Sequence, residues 1–279
     1  MKVTKKQNII LSNPETRDFL ADAFYPETDG KLPLVIFVHG YKGYKDWGAW
    51  NLMAEKFAEA GFFFAKFNFS HNGTTVEDPE NFADLEAFGN NNYSKELSDL
   101  SFVIDYFSKD PKVDDQKIIL IGHSRGGGIS IIKTCEDERI NGLVTLASVD
   151  TLERFPLKEN FEKWKENGVY YVENGRTKQQ MPHYYQFFED FKNDEHRFDV
   201  ERSMEMAKAH VLIIHGTHDE SVSVKNAEHL HILNPNSELY LIENANHTFG
   251  GKEPWDKDEL PKYLNEVVHK SAEFIKLKI

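Results

Sequence analysis

The sequence ILIGHSRGGG, residues 119–128, is the strongest indication of the fold of this chain. A run of apolar residues leads into Ser124, and glycine stands two positions before it and two positions after it, at Gly122 and Gly126. Side chains at those positions would collide in a sharp turn between a strand and a helix, so the pattern G-x-S-x-G predicts such a turn. The turn strains the serine backbone and exposes the hydroxyl over a helix N-terminus. We therefore predict a nucleophile at Ser124; a glycine-rich turn that cradles phosphate is the alternative.

The rest of the chain places this turn in an α/β fold. Apolar runs typical of buried strands lie at 32–40, 62–70, 117–124, 141–149, 210–216 and 238–245, and helical spacing occurs at 46–61, 93–110, 126–139 and 260–277. Strands that are apolar on both faces, with helices between them, indicate a mostly parallel sheet covered by helices on both sides. The opening segments QNIILS and FLADAFYP have no helix between them and predict antiparallel strands at one edge.

One segment, residues 150–200, interrupts the alternation of strands and helices. A structureless loop of this length is rare in a compact domain, and the segment is rich in aromatic residues, so a floppy surface insertion is disfavoured. We predict an inserted cap of helices, with or without a hairpin, on a core made of residues 1–149 and 201–279. The aromatic residues either form the core of the cap or contact an aromatic substrate, and the sequence leaves both open.

Composition and charge exclude several classes of partner. The chain has 279 residues, 40% of them hydrophobic, and a formal net charge of −13. Such an acidic surface repels phosphate backbones and anionic membranes, so we expect neither nucleic acid nor membrane as a partner. The single cysteine, Cys135, permits no internal disulfide, and the first residues lack the apolar run of a secretory signal. We expect a cytoplasmic protein; the oligomeric state is not predictable.

A serine nucleophile needs a base and an acid, and both are found at later strand ends. Asp219 follows the run HVLIIHG, and His247 follows the next run, ELYLIENA. The resulting order Ser124, Asp219, His247 is the order that nucleophile-elbow enzymes use. His247 would accept the serine proton, and Asp219 would fix the tautomer of the imidazole. A histidine base also predicts that activity falls on acidification.

Neighbouring residues offer rival interpretations of the acid. His215 and His218 stand beside Asp219, and a pattern H-x-x-H-D raises the question of a metal. A metal site in one loop would need further ligands, and no helix carries the H-E-x-x-H pattern, so we expect no metal. Glu220 could replace Asp219, but its position after the strand is less favourable.

The third requirement is a pair of N–H groups that stabilises the oxyanion. One is expected from Arg125, the residue after the nucleophile, and the other from the loop that follows the first parallel strand. In that loop Tyr41 is best placed to donate its backbone N–H. We expect His39, which precedes it, to support the loop and not to react with substrate.

Four motifs together resemble the α/β-hydrolase superfamily: VIFVHGYKG, ILIGHSRGG, LIIHGTHDESV and ENANHTF, in the expected order. Within it the chain is most similar to small bacterial carboxylesterases of the feruloyl and cinnamoyl esterase type, which are related to prolyl oligopeptidases without the propeller. The resemblance implies hydrolysis of acyl esters without a metal or organic cofactor, and a compact cap at 150–200. The chain departs from related esterases at SHNGTTVEDPENFADLEAFGNNN, residues 70–92, a long polar segment where a glycine-rich turn is usual.

These features predict a serine hydrolase that cleaves a small-molecule carboxylic ester, short-chain or aryl, through an acyl-enzyme. A peptidase, amidase or thioesterase would use the same residues, and Glu173 or Arg176 in the cap could anchor a charged substrate terminus. A catalytically inactive hydrolase fold used as a binding module is the alternative from another class.

Overall fold

The fold is known from a computed structural model that describes residues 2–279. Ten strands occur in this range: β1 (Val3–Ser12), β2 (Asp18–Pro26), β3 (Leu32–Val38), β4 (Phe63–Phe67), β5 (Val113–His123), β6 (Ile140–Leu146), β7 (Val169–Glu173), β8 (Gln180–Tyr184), β9 (His210–Gly216) and β10 (Glu238–Ile242). Nine helices occur in the same range: α1 (Trp50–Glu59), α2 (Leu85–Gly89), α3 (Tyr93–Phe107), α4 (Arg125–Glu136), α5 (Glu159–Asn167), α6 (Gln186–Asn193), α7 (Val200–Met206), α8 (Val224–Leu233) and α9 (Lys262–Lys278). No helix of the described range is both long and apolar enough to cross a membrane.

The central sheet has the predicted α/β architecture. Over residues 2–279 it contains eight strands in the order β1-β2-β4-β3-β5-β6-β9-β10. The strands β4, β3, β5, β6, β9 and β10 pair in parallel, whereas β2 pairs antiparallel with β1 and with β4. The prediction of a mostly parallel sheet with antiparallel strands at one edge is therefore confirmed.

Both faces of the sheet are buried, because alternate residues of each central strand enter different clusters. In β5, Ile118 and Leu120 belong to one apolar cluster, and Ile119 and Ile121 belong to the other. The first cluster is covered by α3, α4 and α8, and the second by α1 and α9. Since side chains alternate across a strand, strands covered on both sides must be apolar at every position.

Several predicted boundaries differ from the structure by three or four residues, and two of these differences bear on the site. The helix expected from residue 46 begins only at Trp50, because Gly48 has a φ of +58°, outside the helical range. The strand expected to reach residue 245 ends at Ile242, because Asn244 has a φ of +62° and turns the chain. The turn at Gly48 follows one loop of the site described below, and the turn at Asn244 precedes another.

Residues 150–200, here called the cap segment, lie between the adjacent strands β6 and β9. The segment contains α5, the antiparallel hairpin β7–β8, α6 and the first residue of α7. The side chain of Trp164 on α5 is buried, and its indole N–H donates to the carbonyl of His183 on β8 at 2.8 Å. The division of the chain into a core and an inserted cap stays a prediction.

Candidate active site

Ser124 lies at the turn between β5 and α4, in a strained conformation. Its φ is +56° and its ψ is −121°, a region that non-glycine residues rarely adopt. A Cβ at Gly122 would overlap the carbonyl oxygen of Gly126, and a Cβ at Gly126 would overlap the carbonyl oxygens of Val38 and His39. The backbone N–H of Ser124 donates to the Leu146 carbonyl at 2.9 Å. The glycines are thus required because backbone atoms of β3 and α4 approach the turn closely.

The Asp219 carboxylate lies in the loop after β9, and four groups contact it. One oxygen accepts the N–H groups of Ser221 at 2.8 Å and Val222 at 2.9 Å. The other lies 2.7 Å from Nδ1 of His247 and 3.2 Å from Nε2 of His215. Burial alone would raise the pKa of Asp219, but the hydrogen bonds from His215 and His247 outweigh it and hold the pKa well below its usual range. The carboxyl group is therefore ionised at neutral pH.

His247, in the loop after β10, is oriented from two directions. Its Nδ1 faces Asp219, so the ring presents Nε2 to the cavity that Ser124 also lines. Its backbone carbonyl lies 2.9 Å from Nε2 of His123, whose ring packs against the His247 ring with 4.8 Å between centroids. Among the described residues, neither the Ser124 hydroxyl nor Nε2 of His247 has a hydrogen-bond partner. Both groups are free to meet a substrate.

The loop after β3 approaches the turn at Ser124 from the other side. A Cβ at Gly40 would lie 2.9 Å from the Cβ of Ser124, so the loop backbone is in contact with the serine. Nε2 of His39 accepts the N–H of Phe69 at 3.1 Å, and its Nδ1 lies 2.9 Å from the carbonyl of Gly40. Burial lowers the pKa of His39 to about 4, so the ring is neutral and bonds to backbone on both sides. His39 supports the loop, as the sequence predicts.

The two N–H groups predicted for the oxyanion are both free. Within residues 2–279, no protein acceptor receives the backbone N–H of Tyr41 or that of Arg125. Arg125 is the first residue of α4, so its N–H belongs to the exposed N-terminus of that helix. The loop contact at Gly40 places the Tyr41 backbone next to the serine. The two predicted donors therefore have no protein acceptor, and their role at an oxyanion stays a prediction.

Two cavities adjoin Ser124. The larger, of about 430 Å³, lies under the cap segment, and the smaller, of about 200 Å³, lies between the loop at Gly40 and the loop at His247. Ser124, Tyr41 and His247 line both. A cleft of about 760 Å³ lies elsewhere, around Cys135 and Ile279, and its lining contains none of the residues described above. The two cavities at Ser124 are the ones lined by the predicted nucleophile and the predicted base.

The cap segment reaches the loop after β3 through polar contacts. The Tyr41 hydroxyl lies 2.7 Å from Nε2 of His183 on β8. Burial, with a smaller contribution from the charges of Arg125 and Lys42, lowers the pKa of His183 to about 3, so the ring is neutral. Burial raises the pKa of Tyr41, so its hydroxyl is protonated and donates to the ring. This hydrogen bond joins the cap segment to the predicted oxyanion loop.

The aromatic residues of the cap segment divide between the two roles left open by the sequence. Trp164 packs against Phe161, Tyr185 and Phe188 and forms the interior of the segment. Tyr170 and Phe187 line the larger cavity. Residues 70–92, where the chain departs from related esterases, line neither cavity. This segment instead contacts the hairpin β7–β8, where the side-chain amide of Gln179 donates to the Phe82 carbonyl at 3.0 Å.

The rival residues have other surroundings. His215 is fully buried, and its Nε2 also lies 2.9 Å from the carbonyl of Val222, whereas His218 and Glu220 are exposed. Over residues 2–279, no group of three or more His, Cys, Asp or Glu side chains is arranged to hold a metal ion. Glu173 and Arg176 are exposed on the hairpin and line neither cavity.

Sequence reasoning missed several residues that shape the site. His183 and Glu96 carry no motif, and they reach the site only because the cap segment and α3 pack against it. His123 stands inside G-x-S-x-G, but that pattern leaves its position unspecified. His215 was considered only as a metal ligand, although its place at the end of a buried strand indicates a buried polar role.

Comparisons with known proteins place the chain in a family and a fold. Residues 52–267 match the family described as the prolyl oligopeptidase family, Peptidase_S9. A 31.7 kDa protein in the traX-finO intergenic region of Escherichia coli is 31% identical over 120 residues, which is 43% of this chain and only 38% of that relative's length.

Two solved structures share the fold over nearly the whole chain. The structure of Est1E from Butyrivibrio proteoclasticus with bound ferulic acid has a TM-score of 0.72 and 20% identity, over 97% of this chain and 98% of that one. The esterase domain of a Rhodothermus marinus protein has a TM-score of 0.68 and 16% identity, over 99% of each chain. The chain has the α/β-hydrolase fold and belongs to the prolyl oligopeptidase family.

Proposed function

We propose that this protein is a serine hydrolase that cleaves carboxylic esters through an acyl-enzyme. The observation that carries the proposal is the 2.7 Å hydrogen bond between His247 and Asp219 beside the cavity into which Ser124 opens. A serine on a strained turn, a histidine with one ring nitrogen held by an ionised carboxylate, and two free N–H groups are the parts that acyl transfer needs.

The first half of the reaction forms the acyl-enzyme. The Ser124 oxygen attacks the ester carbonyl carbon while Nε2 of His247 accepts the hydroxyl proton. Asp219 keeps the proton of Nδ1 in place and stabilises the imidazolium that forms. The carbonyl oxygen becomes an oxyanion and accepts the N–H groups of Tyr41 and Arg125. His247 then returns its proton to the alcohol oxygen, the C–O bond breaks, and the alcohol leaves.

The second half returns the enzyme. A water molecule loses a proton to Nε2 of His247 and attacks the acyl carbon, and the same two N–H groups stabilise the second oxyanion. Collapse expels the Ser124 oxygen, which recovers its proton from His247, and the acid leaves. Every proton moves through one ring nitrogen, so turnover should fall when acid protonates that nitrogen.

The two cap residues predicted to anchor a peptide terminus do not reach the site. Glu173 and Arg176 lie outside both cavities, so neither supports the peptidase alternative. Thioesters remain candidates because the same nucleophile would attack them. A thiolate also leaves more readily than an alkoxide and needs less protonation. The family itself supports the amide alternative, since its description is that of prolyl oligopeptidases.

The test is an assay of p-nitrophenyl esters of rising chain length, methyl ferulate, an acyl thioester and aminoacyl p-nitroanilides. Ester turnover that disappears in Ser124→Ala, with Ser108→Ala at the partly buried C-cap of α3 as the matched control, is the expected result. Removal of the nucleophile should lower kcat by at least about 10⁴-fold. Turnover of anilides alone would replace the proposal with a peptidase. Failure of a fluorophosphonate to label Ser124 would indicate a binding module.

A further inference from the structure

The lining of the larger cavity has the opposite charge from the rest of the protein. The chain carries a formal net charge of −13, yet no Asp or Glu lines this cavity. Two arginines do: Arg125 on α4 and Arg154 in the cap segment. Burial keeps the pKa of His183 near 3 and the lining tyrosines protonated, so these residues are neutral. The cavity wall thus presents arginines and no carboxylate on an otherwise acidic molecule.

Arg125 is held in a fixed position and its charge is matched. Its Nη2 lies 2.7 Å from Oε1 of the buried Glu96, and Asn91 donates to the same oxygen at 2.7 Å. The guanidinium lies over the ring of Tyr41, 4.9 Å from its centroid, and 6.0 Å from that of Tyr93. One carboxylate therefore orients Arg125 and offsets its charge within the cavity wall.

Arg154 differs because no carboxylate offsets its charge. Among residues 2–279, the arginines within 4.0 Å of a carboxylate oxygen are Arg17, Arg125, Arg139 and Arg197. Arg154 is exposed and lines the cavity without such a partner. Burial raises the pKa of Tyr93 in the cavity wall, and the charges of Arg125 and Arg154 oppose that effect.

We propose that the larger cavity recognises a carboxylate on the substrate, and that Arg154 binds it. The inference rests on the proposed ester hydrolysis and deepens it: the substrate class is an ester with a free carboxylate several bonds from the scissile carbonyl. Arg125 lies in the same wall, but Glu96 offsets its charge, so the unpaired charge of the cavity is that of Arg154. The smaller cavity, bounded by Trp47 and Trp50, takes the uncharged side of the ester.

The carboxylate could belong to the acyl group or to the alcohol, and two matched pairs of esters separate these sources. p-Nitrophenyl hydrogen glutarate and p-nitrophenyl valerate differ by a carboxylate on the acyl side. 4-Acetoxybenzoate and 4-acetoxybenzamide differ by a carboxylate on the alcohol side. In at least one pair, kcat/KM should be about tenfold higher for the acid, which is what one charge-assisted hydrogen bond contributes.

Substitution of Arg154 isolates its share of this preference. In Arg154→Gln the preference should fall about tenfold, and in Arg154→Glu the neutral ester of the pair should become the better substrate. Arg202→Gln on α7 is the matched control, since it removes a charge outside both cavities and should leave the preference unchanged. Addition of 0.5 M NaCl should reduce the wild-type preference, because Arg154 is exposed and its charge is screened.

The outcomes separate the inference from the proposed function. Ester turnover without a preference for the acid in either pair, or a preference that survives Arg154→Gln, overturns the inference and leaves the esterase. If no ester is cleaved, the proposed function fails for these substrates, and calorimetric titration decides the inference. Tighter binding of glutarate than of glutaramide, lost in Arg154→Gln, supports it; equal binding or no binding overturns it.

Discussion

The turn at residues 119–128 and the cap segment at residues 150–200 line the same cavity. Backbone contacts determine the structure of the first, and side-chain contacts determine that of the second. Around Ser124, backbone atoms approach so closely that a Cβ at Gly122 or Gly126 would overlap carbonyl oxygens. In the cap segment, Trp164 and its aromatic neighbours pack through side chains, and Gly175 has open space around its missing Cβ. A clash with backbone atoms excludes every residue larger than glycine at such a position, whereas many combinations of side chains can satisfy side-chain packing.

The difference teaches where chemistry and where selectivity reside in this molecule. The predicted triad lies on loops of the sheet, and its orientation depends on contacts such as that between Asp219 and His247. The charged lining comes partly from the cap segment, whose residues can change without disturbing those contacts. We expect substitutions at the triad to abolish turnover and substitutions in the cap segment to change substrate preference.

The largest expected effect is that of Asp219→Asn. Asparagine cannot hold the proton on Nδ1 of His247 as the carboxylate does, so the imidazole would adopt the wrong tautomer. The value of kcat should therefore fall by about 10⁴-fold, as for other triads. Glu220→Gln, the exposed neighbouring acid, is the matched control and should change kcat by less than about twofold. Equal losses in both variants would break the assignment of Asp219. The measurement is kcat on the best p-nitrophenyl ester.

The next effect compares glycines from the two regions. Gly126→Ala would press a Cβ into the carbonyl oxygens of Val38 and His39 and should destabilise the fold by about 3 kcal/mol or more. Gly175→Ala, on the hairpin of the cap segment, meets nothing within 4 Å and should change the free energy of unfolding by about 0.5 kcal/mol or less. Urea denaturation measures both. Similar values would remove the contrast between the two regions.

The smallest effect is the pH dependence that His183 brings to the cap segment. Its pKa in the folded protein is near 3 because of burial and the charges of Arg125 and Lys42, whereas an unfolded histidine titrates near 6.5. The unfolded chain therefore binds more protons between these values, so the stabilisation is complete above about pH 6.5 and is lost as the pH falls. The free energy of unfolding of the wild type therefore rises with pH, and below pH 6 His183→Gln should reduce this slope by about 1.4 kcal/mol per pH unit.

This prediction has a control within the same segment. His196 is exposed, and His196→Gln should leave the slope of the wild type. Burial also lowers the pKa values of His39 and His123, so their contributions to the pH dependence have the same sign as that of His183. Burial raises the pKa of Asp99 to about 6, so its contribution has the opposite sign. Only the difference between wild type and His183→Gln reports His183. A parallel pair of curves would mean that the ring is charged or exposed in the folded protein.

Much of the fold and the positions of the candidate site could be predicted because their signals are local. The strand and helix of β5 and α4 follow from apolar spacing, and Gly122 and Gly126 mark a turn that few other residues allow. Asp219 and His247 were predicted from their places after strands, since parallel strands bring their carboxyl ends to one edge. Helix and strand boundaries failed at Gly48 and Asn244, where positive φ angles turn the chain.

The sequence by itself determined the sheet, the turn at Ser124 and the order of the three predicted catalytic residues, because each depends on spacing within one segment and on backbone sterics. Only the tertiary structure decided that His183 contacts Tyr41, that Glu96 holds Arg125 and that Arg154 lines the cavity without a carboxylate partner. Those contacts join residues far apart in the chain, through side chains whose packing has no periodic pattern. Their consequence is electrostatic: one unpaired arginine lines the cavity of a protein whose overall charge is −13.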